Sequence, residues 1–131
     1  MLTTTTETRA MALVEMQGEP AYVGEWTTIG RTVVVEQGGN RELLAMQPTQ
    51  IGGYAWGRAG VLPREVARAI LLDATDNPML AERLCRPLTW EVISTLPAEG
   101  FRLTRAEVLA WVEGREPEAA GPAQLASALN L

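Results

Sequence analysis

Apolar and polar positions change their period once along this chain, between residues 52 and 63. Upstream the spacing is close to two. Residues 21–28 carry Tyr22, Val23 and Trp26, and residues 31–36 contain Thr32-Val33-Val34-Val35; both stretches predict strands. Ile29-Gly30 predicts a short turn between them. Gln37-Gly38-Gly39-Asn40 predicts a hairpin turn, because glycines accept positive φ, with a partner strand over residues 42–46. Met11, Leu13 and Met16 predict an earlier strand, broken by Gly18-Glu19-Pro20. Gly53-Tyr54-Ala55-Trp56 alternates small and aromatic residues and predicts a last short strand.

Downstream the period becomes helical. Pro63 suits a first helical position, where its missing N–H costs nothing. Val66, Ala67, Ile70, Leu71 and Ala74 then recur on one face, with Arg64 and Arg68 four apart on another. Asn77-Pro78 is an N-cap signal for a short second helix through about Leu84, which Arg86-Pro87 is expected to interrupt. Residues 88–96 predict a third helix, ended by Pro97 and Gly100. Thr104-Arg105-Ala106-Glu107 is a capping box, in which hydroxyl and carboxylate satisfy each other's backbone amides. The helix it starts should run to about Glu113, bury Val108, Leu109, Trp111 and Val112, and stop at Gly114.

These elements predict an α+β fold: a small antiparallel sheet from the N-terminal half, packed against three to four short helices from the C-terminal half. Residues 1–9, rich in threonine, read as a flexible lead. Residues 10–114 read as the single domain. Residues 115–131, rich in Pro, Ala and Glu, read as a tail that could form a weak helix.

Composition narrows the chemistry. The 131 residues contain no histidine, which removes Ser-His and Cys-His nucleophile pairs and the commonest metal ligand. The lone Cys85 allows neither a disulfide framework nor a cysteine zinc cage and reads as a small buried hydrophobe. All eleven basic residues are arginine, so Schiff-base and P-loop lysines are absent. No catalytic residue, metal ligand or cofactor is assigned. The net charge of −5 argues against general nucleic-acid binding, which rests on a basic face. No apolar run is long enough to span a membrane, and residues 1–7 show neither the basic nor the apolar region of a secretory signal. A soluble, cytoplasmic protein is expected.

The candidate binding residues lie at the change of period. A glycine-rich turn before a helix can cradle an anion, and Arg58 could offer its guanidinium to phosphate or carboxylate. Tyr54, Trp56, Arg64 and Arg68 flank it. The plainer reading is that the glycines let the chain swing from sheet to helix while Tyr54 and Trp56 pack between the layers. Asp73 and Asp76, three apart, could hold a cation but read more simply as solvated or capping groups. Trp26, Trp56, Trp90 and Trp111 read as core anchors or interface contacts rather than base-stacking platforms.

Residues of about 21–113 carry a recognisable pattern. Tyr22 and Gly24 open it, followed by Tyr54, Trp56, Gly57, Gly60 and Pro63. Ala69-Ile70-Leu71-Leu72-Asp73, then Trp90-Glu91-Val92 with Leu96-Pro97, then Phe101, Leu103, Thr104 and Trp111 complete it. In this the chain resembles a family of small domains of unknown function from bacteria, phages and mobile elements. It departs at the turn, where Arg58-Ala59 replaces a tyrosine and a glycine, and Val61-Leu62 a glycine and a serine. The resemblance implies a fold and a biological setting and assigns no activity.

The leading expectation is therefore a non-catalytic protein-binding module of a phage or mobile element in the bacterial cytoplasm. It would act on a host or phage protein, for instance as an inhibitor of a host machine. One alternative is a nucleotide- or anion-binding domain or small enzyme using Arg58 with Asp73 and Glu91. A second is a nucleic-acid-binding accessory protein using Arg58, Arg64 and Arg68.

Overall fold

A computed structural model describes residues 19–46 and 53–115. The expected strand at Met11, the lead and the tail lie outside the described residues. Three strands come first: β1 (Ala21–Thr27), β2 (Gly30–Gln37) and β3 (Asn40–Leu43). Helix α1 (Val61–Thr75) and helix α2 (Pro78–Glu91) follow, then a 3-10 turn (Ile93–Thr95). Strand β4 (Phe101–Thr104) and helix α3 (Arg105–Arg115) close the described chain. The fold is α+β, with a four-stranded antiparallel sheet in the order β3-β2-β1-β4.

The hairpins turn as the glycines require. Gly38 and Gly39 both take positive φ, 57° and 90°, and join Gln37 to its partner Asn40 through a two-residue loop. That tight turn starts β3 at Asn40 rather than at residue 42, and it ends at Leu43. Register alternation then sorts the faces. Tyr22 stands opposite Val35 and Leu103, Val33 lies on the same face opposite Gly24, and these side chains pack on the helices. The other face carries one charged residue or more from each strand: Arg41 reaches Glu25 at 2.6 Å and Glu36 at 3.0 Å, and Arg102 reaches Glu36 at 2.7 Å.

Three expectations are corrected. Residues 53–56 form no strand. The sheet edge beside β1 is taken by β4, so Gly57 N–H bonds instead to Ile93 O at 2.9 Å, and the Tyr54 hydroxyl donates to Leu44 O at 2.8 Å. Phe101–Thr104, where the local pattern predicts no strand, is that fourth strand, paired with β1 from Ala21↔Thr104 to Gly24↔Phe101. Finally, α2 runs on through Pro87. An internal proline removes one helical hydrogen bond, but Leu84, Cys85, Leu88 and Thr89 on both sides of it are buried, and this burial holds the helix together. The third predicted helix is thus the end of α2 plus the 3-10 turn.

The caps follow the sequence. Asn77 Oδ1 accepts from Leu80 N at 3.1 Å, with Pro78 at the first position. At the start of α3, Glu107 N donates to Thr104 Oγ1 at 3.1 Å and Thr104 N to Glu107 Oε1 at 2.9 Å. Helix α1 begins at Val61, two residues before Pro63, which still falls in the first turn where no N–H is needed. Val108 and Val112 of α3 are buried as expected, whereas Leu109 stays 38% exposed. Gly114 lies within that helix rather than ending it.

Candidate functional site

The change of period at residues 53–63 is a packed junction with an open cleft at its far end. Trp56 is 1% exposed; its indole N–H donates to Pro97 O at 2.9 Å, and its ring meets Phe101 edge-on at 5.2 Å. Tyr54 is half-buried. Both expected site aromatics are therefore inside the junction. Arg31, which nothing in the local sequence marked, fixes the junction to the sheet. Its guanidinium lies 4.8 Å from the ring centroids of both Trp26 and Trp56, and it donates to Trp56 O at 2.9 Å.

The three candidate arginines part company. Arg68 turns to α2, pairing with Glu65 and with Glu82 at 2.8 Å. Hydrogen bonding to Glu65 raises its pKa further above the ordinary arginine value. Arg64 points into the cleft between the start of α1 and the end of α2, which has a volume of about 300 Å³. Gly60, Val61 and Arg64 line one side, and Arg86, Thr89 and Trp90 the other. Arg58 sits at the rim, its Nη1 donating to Ala59 O at 3.3 Å and lying 3.0 Å from where a Cβ on Gly60 would stand.

The electrostatics of this cleft differ from those of the remaining described surface. Arg41, Arg68, Arg102, Arg105 and Arg115 each pair with a carboxylate. Among the described residues neither Arg64 nor Arg86 pairs with a carboxylate, and Arg64 Nε is buried without a hydrogen-bond partner. No lining residue is acidic. Helix α1 has no side-chain cap and no acidic residue in its first turn, so its leading amides face the same end. Trp90 is 68% exposed. Arg86 and Trp90 are four apart and so adjacent on α2. Placing a break at Pro87 hides that spacing, which was the available signal for Arg86.

The carboxylates are engaged elsewhere. Asp73 accepts from the Tyr22 hydroxyl at 2.6 Å and from Arg105 at 2.9 Å. Asp76 is the left-handed C-cap of α1. Glu91 accepts from Trp111 Nε1 at 3.2 Å and pairs with Arg115 at 2.5 Å. Arg58, Asp73 and Glu91 thus belong to three separate clusters. Among the described residues no group of three or more His, Cys, Asp or Glu is placed to hold a metal ion, and no helix is long and apolar enough to cross a membrane.

The Tyr22–Asp73 bond has a measurable consequence. Burial, then the hydrogen bond to Asp73, pushes the Tyr22 hydroxyl well above its usual range, and burial moves Tyr54 the same way. An unfolded tyrosine loses its proton near pH 10, so above that pH the folded state holds more protons than the unfolded one. The stability contributed by both groups is complete below about pH 10 and is lost as the pH rises above it; for the fully buried Tyr22 the loss approaches about 1.4 kcal/mol per pH unit until the folded group titrates. The chain has no lysine to titrate in the same window. Urea unfolding measured from pH 8 to 11.5 should show this decline, and Tyr22→Phe should flatten it; an unchanged slope would exclude Tyr22 as its origin.

Comparison with curated proteins and with solved structures finds no match. Residues 22–114, most of the chain and nearly all of its described structure, do match one family pattern. The span begins at the Tyr22 whose hydroxyl meets Asp73 and ends in α3, so it takes in the junction, the cleft and, but for the first residue of β1 and the last of α3, every described strand and helix, and the chain belongs to the family of unknown function DUF6166.

Proposed function

We propose that this domain is a non-catalytic binding module of a phage or mobile genetic element, which seats on a protein of the bacterial host and can thereby inhibit a host machine. The cleft between α1 and α2 is its working surface. One observation carries the reading: an indole that is 68% exposed stands beside two arginines with no carboxylate partner among the described residues. Tryptophan and arginine are the residue types that most often dominate binding energy at protein interfaces. Exposed Val61 on the same cleft adds apolar area.

Tagged protein would be used to capture partners from bacterial lysate, alongside Trp90→Ala, Arg86→Glu and, as a control on the opposite sheet face, Arg102→Ala. The expected result is one protein captured by the wild type and by Arg102→Ala and lost with both cleft variants. Capture that is indifferent to Trp90 and Arg86, or no capture at all, would refute the proposal.

A further inference from the structure

The cleft's charge and shape specify more than a contact surface. We infer that it is a binding site for a phosphate monoester carried on a flat ring, the chemistry of a nucleoside monophosphate. This rests on the cleft being the working surface, but not on the partner being a protein.

Arg64 and Arg86 approach from different helices, and Arg58 stands at the rim. Like charges gathered in one concave place, without an acidic lining residue, are relieved by an anion between them. Arg64 Nε is buried beyond a ligand's reach, so the terminal Nη groups are the donors that Arg64 offers to an anion. The uncapped first turn of α1 adds amide donors at the same end. A phosphate monoester suits this set better than a carboxylate. It offers three terminal oxygens and a charge of about −1.5 to −2, against two oxygens and a single charge. Guanidinium groups bind either through paired N–H bonds, but two or three of them match the larger charge.

Trp90 supplies the second half of the site. Its exposed ring borders the cleft and gives a flat apolar face on which a base or phenyl ring can stack. The volume of about 300 Å³ is at the small end of ligand sites and suits a single mononucleotide-sized body.

The test is an NMR titration of the full chain, labelled with ¹⁵N, at constant ionic strength. Inorganic phosphate, AMP, phenyl phosphate and acetate are the probes. Phosphate and AMP should shift the amides of Gly60, Val61 and Leu62, and AMP should also shift the Trp90 indole and bind about tenfold tighter. Arg64→Gln or Arg86→Gln should weaken AMP about tenfold or more. Trp90→Ala should reduce AMP to the level of inorganic phosphate and leave phosphate itself unchanged. AMP tighter than phenyl phosphate identifies a base, and equality identifies a phosphorylated aromatic side chain. Spectra that keep the wild-type dispersion establish that each variant is folded. Acetate equal to phosphate, AMP no tighter than phosphate, or no shift near Gly60 would overturn the inference. Partner capture that depends on Trp90 in a protein that binds no phosphate would sink this inference and leave the binding module standing; phosphate binding with no captured protein would do the reverse.

Discussion

Trp56→Ala is expected to remove about 3–5 kcal/mol of folding stability, the range for truncating a buried tryptophan. The indole is 1% exposed and joins three parts of the fold. It stacks edge-on with Phe101 of β4, lies under Arg31 of β2, and donates to Pro97 O between the 3-10 turn and β4. Truncation leaves a cavity, an unpaired carbonyl and an arginine without its inner aromatic partner. The bond from Arg31 to the Trp56 carbonyl is made by the backbone and is not deleted by the substitution. Since whole domains have only about 5–15 kcal/mol of stability, the variant should be close to unfolding at room temperature. Urea denaturation reads the loss directly, with Trp56→Phe as a milder companion that keeps the contact with Phe101. A loss below about 1.5 kcal/mol for Trp56→Ala would mean that the junction is not the centre of the core.

The same tryptophan shows what the sequence makes legible. Trp56 is buried and Tyr54 half-buried, as their aromatic character suggests, but Ala55 between them is buried too, so burial leaves a trace in residue type rather than in alternation. Whether the backbone forms a strand does not, since that depends on a free sheet edge, and the edge beside β1 is claimed by Phe101–Thr104, which arrives more than forty residues later. That strand is four residues long and runs straight into a capping box, so its Phe101-x-Leu103 alternation is too short to stand out. Caps were readable because they are local: Asn77 with Pro78, and Thr104 with Glu107, need nothing beyond their own turn.

The candidate site was half legible for a related reason. Arg64 lines the cleft because it belongs to the first turn of α1, and Arg58 stands beside it because it belongs to the junction. Arg68, one turn later, meets Glu65 on its own helix and Glu82 on α2, and only the packing of the two helices reveals the second of these. Arg86 and Trp90 lie on either side of Pro87. Local propensity places a helix break there, and tertiary burial of Leu84, Cys85 and Leu88 overrides it. One misplaced break thus concealed the far wall of the cleft.

Gly24→Ala should destabilise the fold by about 2–3 kcal/mol, through overpacking rather than lost contacts. Gly24 pairs with Phe101 across β1 and β4, and a Cβ there would lie 2.1 Å from Phe101 Cε2 and 2.4 Å from Cδ2. An exposed ring would rotate aside at little cost. This one is 9% exposed, and its other side meets Trp56 edge-on at 5.2 Å, so it can retreat only by disturbing the junction. Shortening the ring tests that cause. Phe101→Leu alone should cost about 1–2 kcal/mol by leaving space against Trp56. In the double variant the new methyl occupies some of that space, so the total loss should be smaller than the sum of the two by at least about 1 kcal/mol. Strictly additive losses would show that the penalty at Gly24 comes from the strand backbone and not from the ring lying across it.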